Sequence, residues 1–209
     1  TECRTLIDLN YEVGLMADLP KHERFLHIAA EPGAGSTTIA LQLVHSGLES
    51  DGRVLWIGRD MPHPDRLSTV FNDLPVTALS RFHAGSFGEH IGRGLEESVE
   101  LILGLDSLTH IVIDDWAGRS GRADSQVTRM LSRILEICNE DTIVIVTSAL
   151  YADASGQDEW AIRSGCNIDE VWRVTRQNIA NEKRTLVTSE KTFTLQLREG
   201  MFEIQDYSS

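Results

Sequence analysis

The feature that most constrains this sequence is a short apolar run that ends in a glycine-rich turn and continues as a helical pattern. Residues 25–30 (FLHIAA) have the composition of a buried strand, and residues 31–38 (EPGAGSTT) form the turn. Apolar side chains in residues 39–44 follow at a helical spacing. This order directs several backbone N–H groups and a helix N-terminus at one point, which suits an anionic phosphate group. We therefore predict a phosphate-binding loop between the first strand and the first helix.

The rest of the first 150 residues alternates short β-rich runs with longer helical patterns, as in βαβ units around a mainly parallel sheet. Further strands are predicted at residues 53–58, 79–83, 109–115 and 142–147, and helices at residues 64–71, 89–105 and 127–138. The β-branched run 142–147 is typical of a strand covered on both faces, so we expect it near the middle of the sheet. Four short runs in residues 169–204 predict an antiparallel extension. The predicted fold class is α/β, with a mostly parallel sheet, helices on both faces and C-terminal antiparallel hairpins.

Composition narrows the classes of function. The chain has 209 residues with no internal repeat and no linker-like segment, so we expect one domain over residues 1–209. Its 19 basic and 32 acidic residues give a formal charge of −13, which argues against an autonomous, non-specific DNA binder. It has no apolar run of membrane-helix length, no signal-peptide pattern and only three, widely spaced cysteines. We expect no membrane association, and a cytoplasmic location or, in a eukaryote, a nuclear one.

The glycine-rich turn departs from the phosphate-loop pattern G-x-x-x-x-G-K-[ST] at two places. The matching octet, residues 30–37, has Ala30 at the first glycine and Ser36 at the lysine that normally contacts the β- and γ-phosphates. Two interpretations are open. The loop binds phosphate without its lysine, or it is an ordinary strand-to-helix turn that Thr37 or Thr38 caps.

The predicted strand at 109–115 ends in two carboxylates, Asp114 and Asp115. In phosphate-loop proteins, an acid at the end of a later strand holds Mg²⁺ together with the hydroxyl that ends the loop motif. The order and spacing of Thr37 and Asp114 therefore favour the phosphate-binding interpretation. Asp115 is either a second, water-activating acid, or a surface acid or helix N-cap.

Six segments together resemble the RecA/RadA recombinase superfamily, in particular the short archaeal RadB-like proteins and the eukaryotic recombinase paralogues. They are EPGAGSTTIALQLV, VLWIGRDMPHPDRL, HIVIDDWAGRSGRADSQVTRML, IVIVTSALYAD, KRTLVTSE and FTLQLREGMFEIQD. The resemblance covers nearly the whole chain. It implies a RecA-like P-loop core with a degenerate Walker A motif.

The resemblance also implies a cofactor, ATP with Mg²⁺, and the residues of its site. Nucleotide-binding residues would be Gly33, Ala34, Gly35, Ser36, Thr37 and Thr38, and metal-binding residues would be Thr37 and Asp114. Asp60, a few residues before the pair Arg66-Leu67, stands where the family has a catalytic acid. Asp115 is the second candidate for a catalytic role.

Three departures from the family pattern weaken the expected chemistry. Ser36 lacks the ammonium group, Asp60 replaces a glutamate that is one methylene longer, and Ala149 stands where the family commonly has a glutamine that senses the γ-phosphate. Phosphoryl transfer depends almost wholly on positioning and charge stabilisation. We therefore expect weak binding of ATP and weak or absent hydrolysis.

Two loops stand where the family contacts DNA. Arg119 and Arg122 either contact DNA or a neighbour's phosphate, or form ion pairs in a solvated loop. Residues 151–165 carry more acidic than basic side chains, which disfavours contact with a phosphate backbone. Tyr151 and Trp160 either stack on bases or anchor their loop to the body of the domain, and we favour anchoring.

The leading hypothesis is a recombinase paralogue that acts as an accessory or mediator in DNA repair by homologous recombination. It would dock onto a recombinase or another paralogue, and single-stranded DNA would be reached through that complex. The alternatives are a regulatory P-loop ATPase of the circadian-clock (KaiC-like) or archaellum type, and a nucleotide-free RecA-like scaffold.

Overall fold

The computed structural model describes residues 19–118, 123–151, 160–165, 168, 170–177 and 182–208. The helices are α1 (Ser36–Glu49), α2 (Pro64–Val70), α3 (Val76–Leu79), α4 (Ile91–Gly104) and α5 (Ser125–Ile137). The first five strands are β1 (Phe25–Ala30), β2 (Arg53–Gly58), β3 (Phe82–Ser86), β4 (Leu108–Asp114) and β5 (Ile143–Ala149). The last four are β6 (Glu170–Arg176), β7 (Lys183–Val187), β8 (Thr192–Arg198) and β9 (Met201–Ser208).

All described strands form one sheet in the order β3-β2-β4-β5-β1-β6-β7-β8-β9. Pairing is parallel from β3 to β6 and antiparallel from β6 to β9. Strand β5 lies between β4 and β1, near the middle of the sheet, as its β-branched sequence predicts. The mostly parallel α/β fold and its antiparallel C-terminal extension are confirmed.

Two apolar clusters cover the two faces of the sheet. The alternation is clear in β4, where Val112 packs into the cluster under α1, α2 and α3, and Ile111 and Ile113 pack into the cluster under α4 and α5. All three side chains are fully buried. Each buried aliphatic side chain of this kind stabilises the fold by about 1.5–3 kcal/mol. Because both faces need such cover, the central strands are mostly apolar on both faces and do not alternate.

One predicted element was placed wrongly. The sequence predicts a strand over residues 79–83, but residues 76–79 form helix α3 and strand β3 begins at Phe82. The ring of Phe82 lies 5.4 Å from that of Phe71 and 6.0 Å from that of Trp56, whereas Leu79 stays partly exposed. The packing of Phe82 therefore sets the start of β3. In the sequence, Leu79 looks equally suitable as the first apolar residue of the strand, which is why the predicted strand starts too early.

The fold brings the carboxyl ends of β1, β2, β4 and β5 to one edge of the sheet. Loops that follow parallel strands at this edge are the usual place for a ligand cleft in an open α/β fold. Within the described residues, every helix is too short or too polar to cross a membrane. Residues 1–18 lie outside the described residues.

Candidate functional site

The loop between β1 and α1 has the backbone of a phosphate-type turn. Gly33 and Gly35 adopt φ angles of +77° and +107°, in the left-handed region that favours glycine. A Cβ at Gly33 would lie 2.2 Å from Arg176 Nη2, and one at Gly35 would lie 2.5 Å from Cε2 of Phe202. Gly33 is therefore required by its backbone conformation, and Gly35 by its conformation and by close packing against the ring of Phe202.

Helix α1 starts at Ser36, directly after the second of these glycines. Its first intrahelical hydrogen bond runs from the N–H of Ile39 to the carbonyl oxygen of Gly35, at 3.0 Å. The N–H groups of residues 36–38 precede that bond and belong to the helix turn that has no acceptors within the helix. They are available donors for an anion above the loop.

A cleft of about 360 Å³ opens beside the loop. Its lining includes most of the residues that the sequence predicts for the site: Gly33, Gly35, Ser36, Thr37, Asp60, Asp114, Asp115 and Ala149. The two other predicted residues of the loop, Ala34 and Thr38, are buried beneath it and do not line the cleft. They shape the loop from below.

Asp114 lies at the floor of the cleft and accepts hydrogen bonds from two threonines. The Thr147 hydroxyl donates to Asp114 Oδ1 at 2.6 Å, and the Thr37 hydroxyl lies 3.2 and 3.3 Å from the two carboxylate oxygens. Burial raises the pKa of Asp114 to about 6, and the nearby charge of Asp115 adds to the rise. The hydrogen bonds from the Thr147 and Thr37 hydroxyls and the charge of Arg66 oppose it. The side chain is thus strongly desolvated, with its charge only partly compensated.

The Thr37–Asp114 pair has the donor chemistry of a Mg²⁺ site. Both side chains offer oxygen atoms, and Mg²⁺ in proteins takes one or two such ligands and completes its shell with water and phosphate oxygens. Among the described residues, no group of three or more His, Cys, Asp or Glu side chains could hold an ion by itself. The residues therefore fit Mg²⁺ that arrives with a phosphate ligand.

Asp115 stands at the turn where β4 ends, with a φ of +55°. Its N–H donates to the Thr147 hydroxyl at 2.8 Å, and its carbonyl oxygen accepts from Arg59 Nε at 2.9 Å. The N-cap of the following helix is Asp124, whose carboxylate accepts from the N–H of Gln126 at 2.7 Å. Asp115 is therefore not that helix cap, and it lines the cleft as a catalytic candidate would.

A buried polar group behind the cleft was missed from the sequence. Ser148 lines the cleft, and its hydroxyl lies 2.8 Å from Nε2 of His27 on β1. The indole Nε1 of Trp116 donates to the same His27 nitrogen at 3.5 Å. Burial lowers the pKa of His27 to about 4, so the imidazole is neutral near pH 7. In the sequence, the one indication of this buried polar group is a histidine inside the otherwise apolar run 25–30.

Two arginines that the sequence analysis did not single out hold the loop from the antiparallel part of the sheet. Arg176 Nη2 donates to the carbonyl oxygen of Pro32 at 2.9 Å, and its N–H donates to the Glu31 carboxylate at 2.8 Å. Arg184 Nε donates to the carbonyl oxygen of Ala34 at 3.2 Å. Arg176 and Arg184 are paired residues of β6 and β7. The loop conformation is therefore fixed by the protein itself.

Arg66 on α2 also lines the cleft. Its side chain is exposed, and its guanidinium has no hydrogen-bond or ion-pair partner among the residues that the structure describes. The carboxylates of Glu31, Asp60, Asp114 and Asp115 line the same cleft. The cleft is thus acidic, with an arginine at the α2 side.

The predicted DNA-facing residues are described only in part. Arg119, Arg122 and residues 152–159 lie outside the described residues. Tyr151 exchanges two backbone hydrogen bonds with Ala161, at 3.1 and 2.8 Å, and the Arg163 guanidinium lies 4.4 Å from its ring centroid. These contacts favour the anchoring role for Tyr151.

A scan against protein-family models finds no match, and a sequence search of curated proteins finds none either. Among solved structures, a RadB recombinase matches with a TM-score of 0.69 and 19% identity over 87% of this chain and 90% of that one. A DnaB-like replicative helicase matches with a TM-score of 0.59 and 15% identity, over 87% of this chain and 57% of that one. A KaiC-like protein from Pyrococcus horikoshii matches with a TM-score of 0.60 and 14% identity, over 87% and 89%.

Proposed function

From the RecA-like P-loop fold, we propose that this chain binds ATP together with Mg²⁺ in the cleft beside residues 33–38. The observation that carries the proposal is the contact between the Thr37 hydroxyl and the Asp114 carboxylate at the foot of the glycine-rich loop. The free N–H groups at the start of α1 would hold the phosphates. Thr37 and Asp114 would hold the metal, which neutralises charge on the phosphates when bound.

Hydrolysis is expected to be weak or absent. Ser36 brings no charge to the β- and γ-phosphates. Ala149 lines the cleft but lacks the side-chain amide of the glutamine that contacts the γ-phosphate in the resembling family. Asp60 and Asp115 both line the cleft and are the candidates for activating water. Asp60 is exposed, so its carboxylate is not held in place for a nucleophile. These residues favour a protein that holds ATP over one that turns it over.

We infer that the biological role is that of a recombinase paralogue, an accessory or mediator in repair by homologous recombination. The match to a RadB recombinase over most of both chains supports this role. A formal charge of −13 favours docking onto a recombinase or another paralogue, with single-stranded DNA reached through that complex. On this proposal, residues 1–209 form one RecA-like core.

Two alternatives have specific support. The KaiC-like match, over similar shares of both chains, favours a regulatory ATPase of the clock or archaellum type. The contacts of Arg176 and Arg184 with the loop carbonyls favour a scaffold, because they hold the loop in shape without any ligand.

The proposal is tested by titrating ATP into the purified chain with Mg²⁺ and with EDTA, and by measuring phosphate release in parallel. We expect Mg²⁺-dependent heat and thermal stabilisation with little phosphate release. Thr37→Ala should remove the Mg²⁺ dependence, while the control Thr188→Ala, at a distant turn, should not. Absence of binding in the wild type would support the scaffold. A pull-down with the host recombinase, with and without ATP, separates the repair role from a clock or motor role.

A further inference from the structure

Among the residues that the structure describes, those lining the cleft carry less positive charge than a nucleoside triphosphate needs. A nucleoside triphosphate is strongly anionic, yet four carboxylates line the cleft and Ser36 occupies the usual position of the lysine. Backbone N–H groups can hold part of a phosphate chain, but close packing of phosphate oxygens against carboxylates needs compensating cations. Mg²⁺ would supply some of that charge if Thr37 and Asp114 held it. A basic side chain that lines the cleft would supply more.

The arginines around the loop differ in whether their guanidinium groups can reach a phosphate in the cleft. Arg59, Arg176 and Arg184 each donate to backbone carbonyl oxygens and do not line the cleft. Arg66 does line it, is exposed, and has no partner within the described part of the chain. It is also close enough to Asp114 to act on that carboxyl electrostatically.

We propose that Arg66 supplies the positive charge on the terminal phosphate that Ser36 does not, and that it makes the site selective for ATP over ADP. This inference rests on the proposed binding of nucleotide in the cleft. A guanidinium presents paired N–H donors that match two phosphate oxygens, which suits it to this task.

The position of Arg66 explains why the terminal phosphate is the group it contacts. The N–H groups of residues 36–38 at the start of α1 are suited to hold the phosphates nearest the loop. Thr37 and Asp114 would hold Mg²⁺, which would neutralise charge towards the end of the phosphate chain, so we expect the third phosphate near Asp114. Arg66 belongs to α2, a different element from the loop, yet it lines the same cleft and acts electrostatically on Asp114. We therefore expect it to contact the terminal phosphate of ATP, which ADP lacks.

The test compares Mg·ATP and Mg·ADP affinities by calorimetry in the wild type and in Arg66→Ala, Arg66→Lys and Arg66→Ala/Ser36→Lys. We expect Arg66→Ala to lose about 10- to 100-fold in affinity for ATP, as for a lost charge-assisted hydrogen bond, and to change ADP affinity less than about three-fold. Arg66→Lys should keep part of the ATP preference. Adding Ser36→Lys to Arg66→Ala should recover ATP affinity, because it returns a cation to the β- and γ-phosphates.

The matched control is Arg93→Ala, since Arg93 is also an exposed helical arginine but lies on α4 and pairs with Glu97. It should leave both affinities unchanged, and circular dichroism should show that all variants fold. A wild type that binds neither nucleotide overturns the proposed function and this role together. A wild type that binds ATP, combined with an Arg66→Ala variant that loses nothing or loses ATP and ADP equally, overturns the role of Arg66 alone.

Discussion

Replacing Asp114 by asparagine should stabilise the protein while removing its metal-dependent function. The wild-type carboxyl is buried, and its pKa rises from 3.8 to about 6 in the folded state. Since one pKa unit corresponds to about 1.36 kcal/mol, the ionised carboxylate opposes folding by about 3 kcal/mol at pH 7. An asparagine side chain keeps an oxygen that accepts from Thr147 and Thr37 but carries no charge. We expect Asp114→Asn to raise the free energy of unfolding by up to about 3 kcal/mol at pH 7.

The pH dependence separates this electrostatic cause from a packing effect. Between pH 4 and pH 6 the folded wild type binds the proton of Asp114 more tightly than the unfolded chain does, so this carboxyl makes stability fall as pH rises. Below pH 4 both states are largely protonated, and the advantage of Asp114→Asn should shrink to less than about 1 kcal/mol. Urea unfolding of both variants at pH 4 and pH 7, without nucleotide or Mg²⁺, measures the difference. A gain that is equal at both pH values, or a loss at pH 7, would refute the reasoning.

Three further predictions concern the loop and the buried histidines. Ser36→Lys should strengthen Mg·ATP affinity in calorimetry, whereas Ser36→Ala should change it little; no gain with lysine would mean that the cleft does not admit the phosphates. Gly33→Ala should destabilise the fold by about 1–3 kcal/mol, because it combines a positive φ with a clash against Arg176. In an Arg176→Ala background the cost of Gly33→Ala should fall only by the part due to the clash, and an unchanged cost or no cost at all in urea unfolding would contradict this assignment. Burial lowers the pKa of His27 and His110 to about 4, so the unfolded chain binds their protons first and stability falls as pH decreases from 6.5 to 4. His27→Gln should reduce the stability difference between pH 7 and pH 4.5 by about 2–3 kcal/mol, and an unchanged difference would show that His27 is not the group responsible.

Much of the cleft was predictable because it depends on local patterns. The strand, turn and helix from Phe25 to Glu49 are recognisable from the spacing of their apolar residues and from the glycines of the turn. An apolar strand that ends in Asp114 places that carboxylate at the same edge of a parallel sheet. Thr37 and Asp114 meet for this reason, although they lie far apart in sequence.

The contacts that hold the loop were not predictable in the same way. Arg176 and Arg184 reach Pro32 and Ala34 across more than 140 residues, through strands whose place beside β1 depends on the whole sheet order. The local sequence around Arg176 or Arg184 contains no pattern that indicates a contact with a distant loop. In the sequence Arg66 is marked only by the pair Arg66-Leu67, and its place in the cleft depends on where α2 lies in the fold.

The central claim is that the cleft retains ATP with Mg²⁺ and does not turn it over. It is tested most directly by equilibrium dialysis of excess protein against radiolabelled ATP and Mg²⁺ for an hour, followed by identification of the labelled nucleotide. We predict that label accumulates on the protein side and is recovered as ATP. Recovery of ADP would contradict the claim by showing a working ATPase, and absence of excess label on the protein side would contradict it by showing that the loop holds no nucleotide.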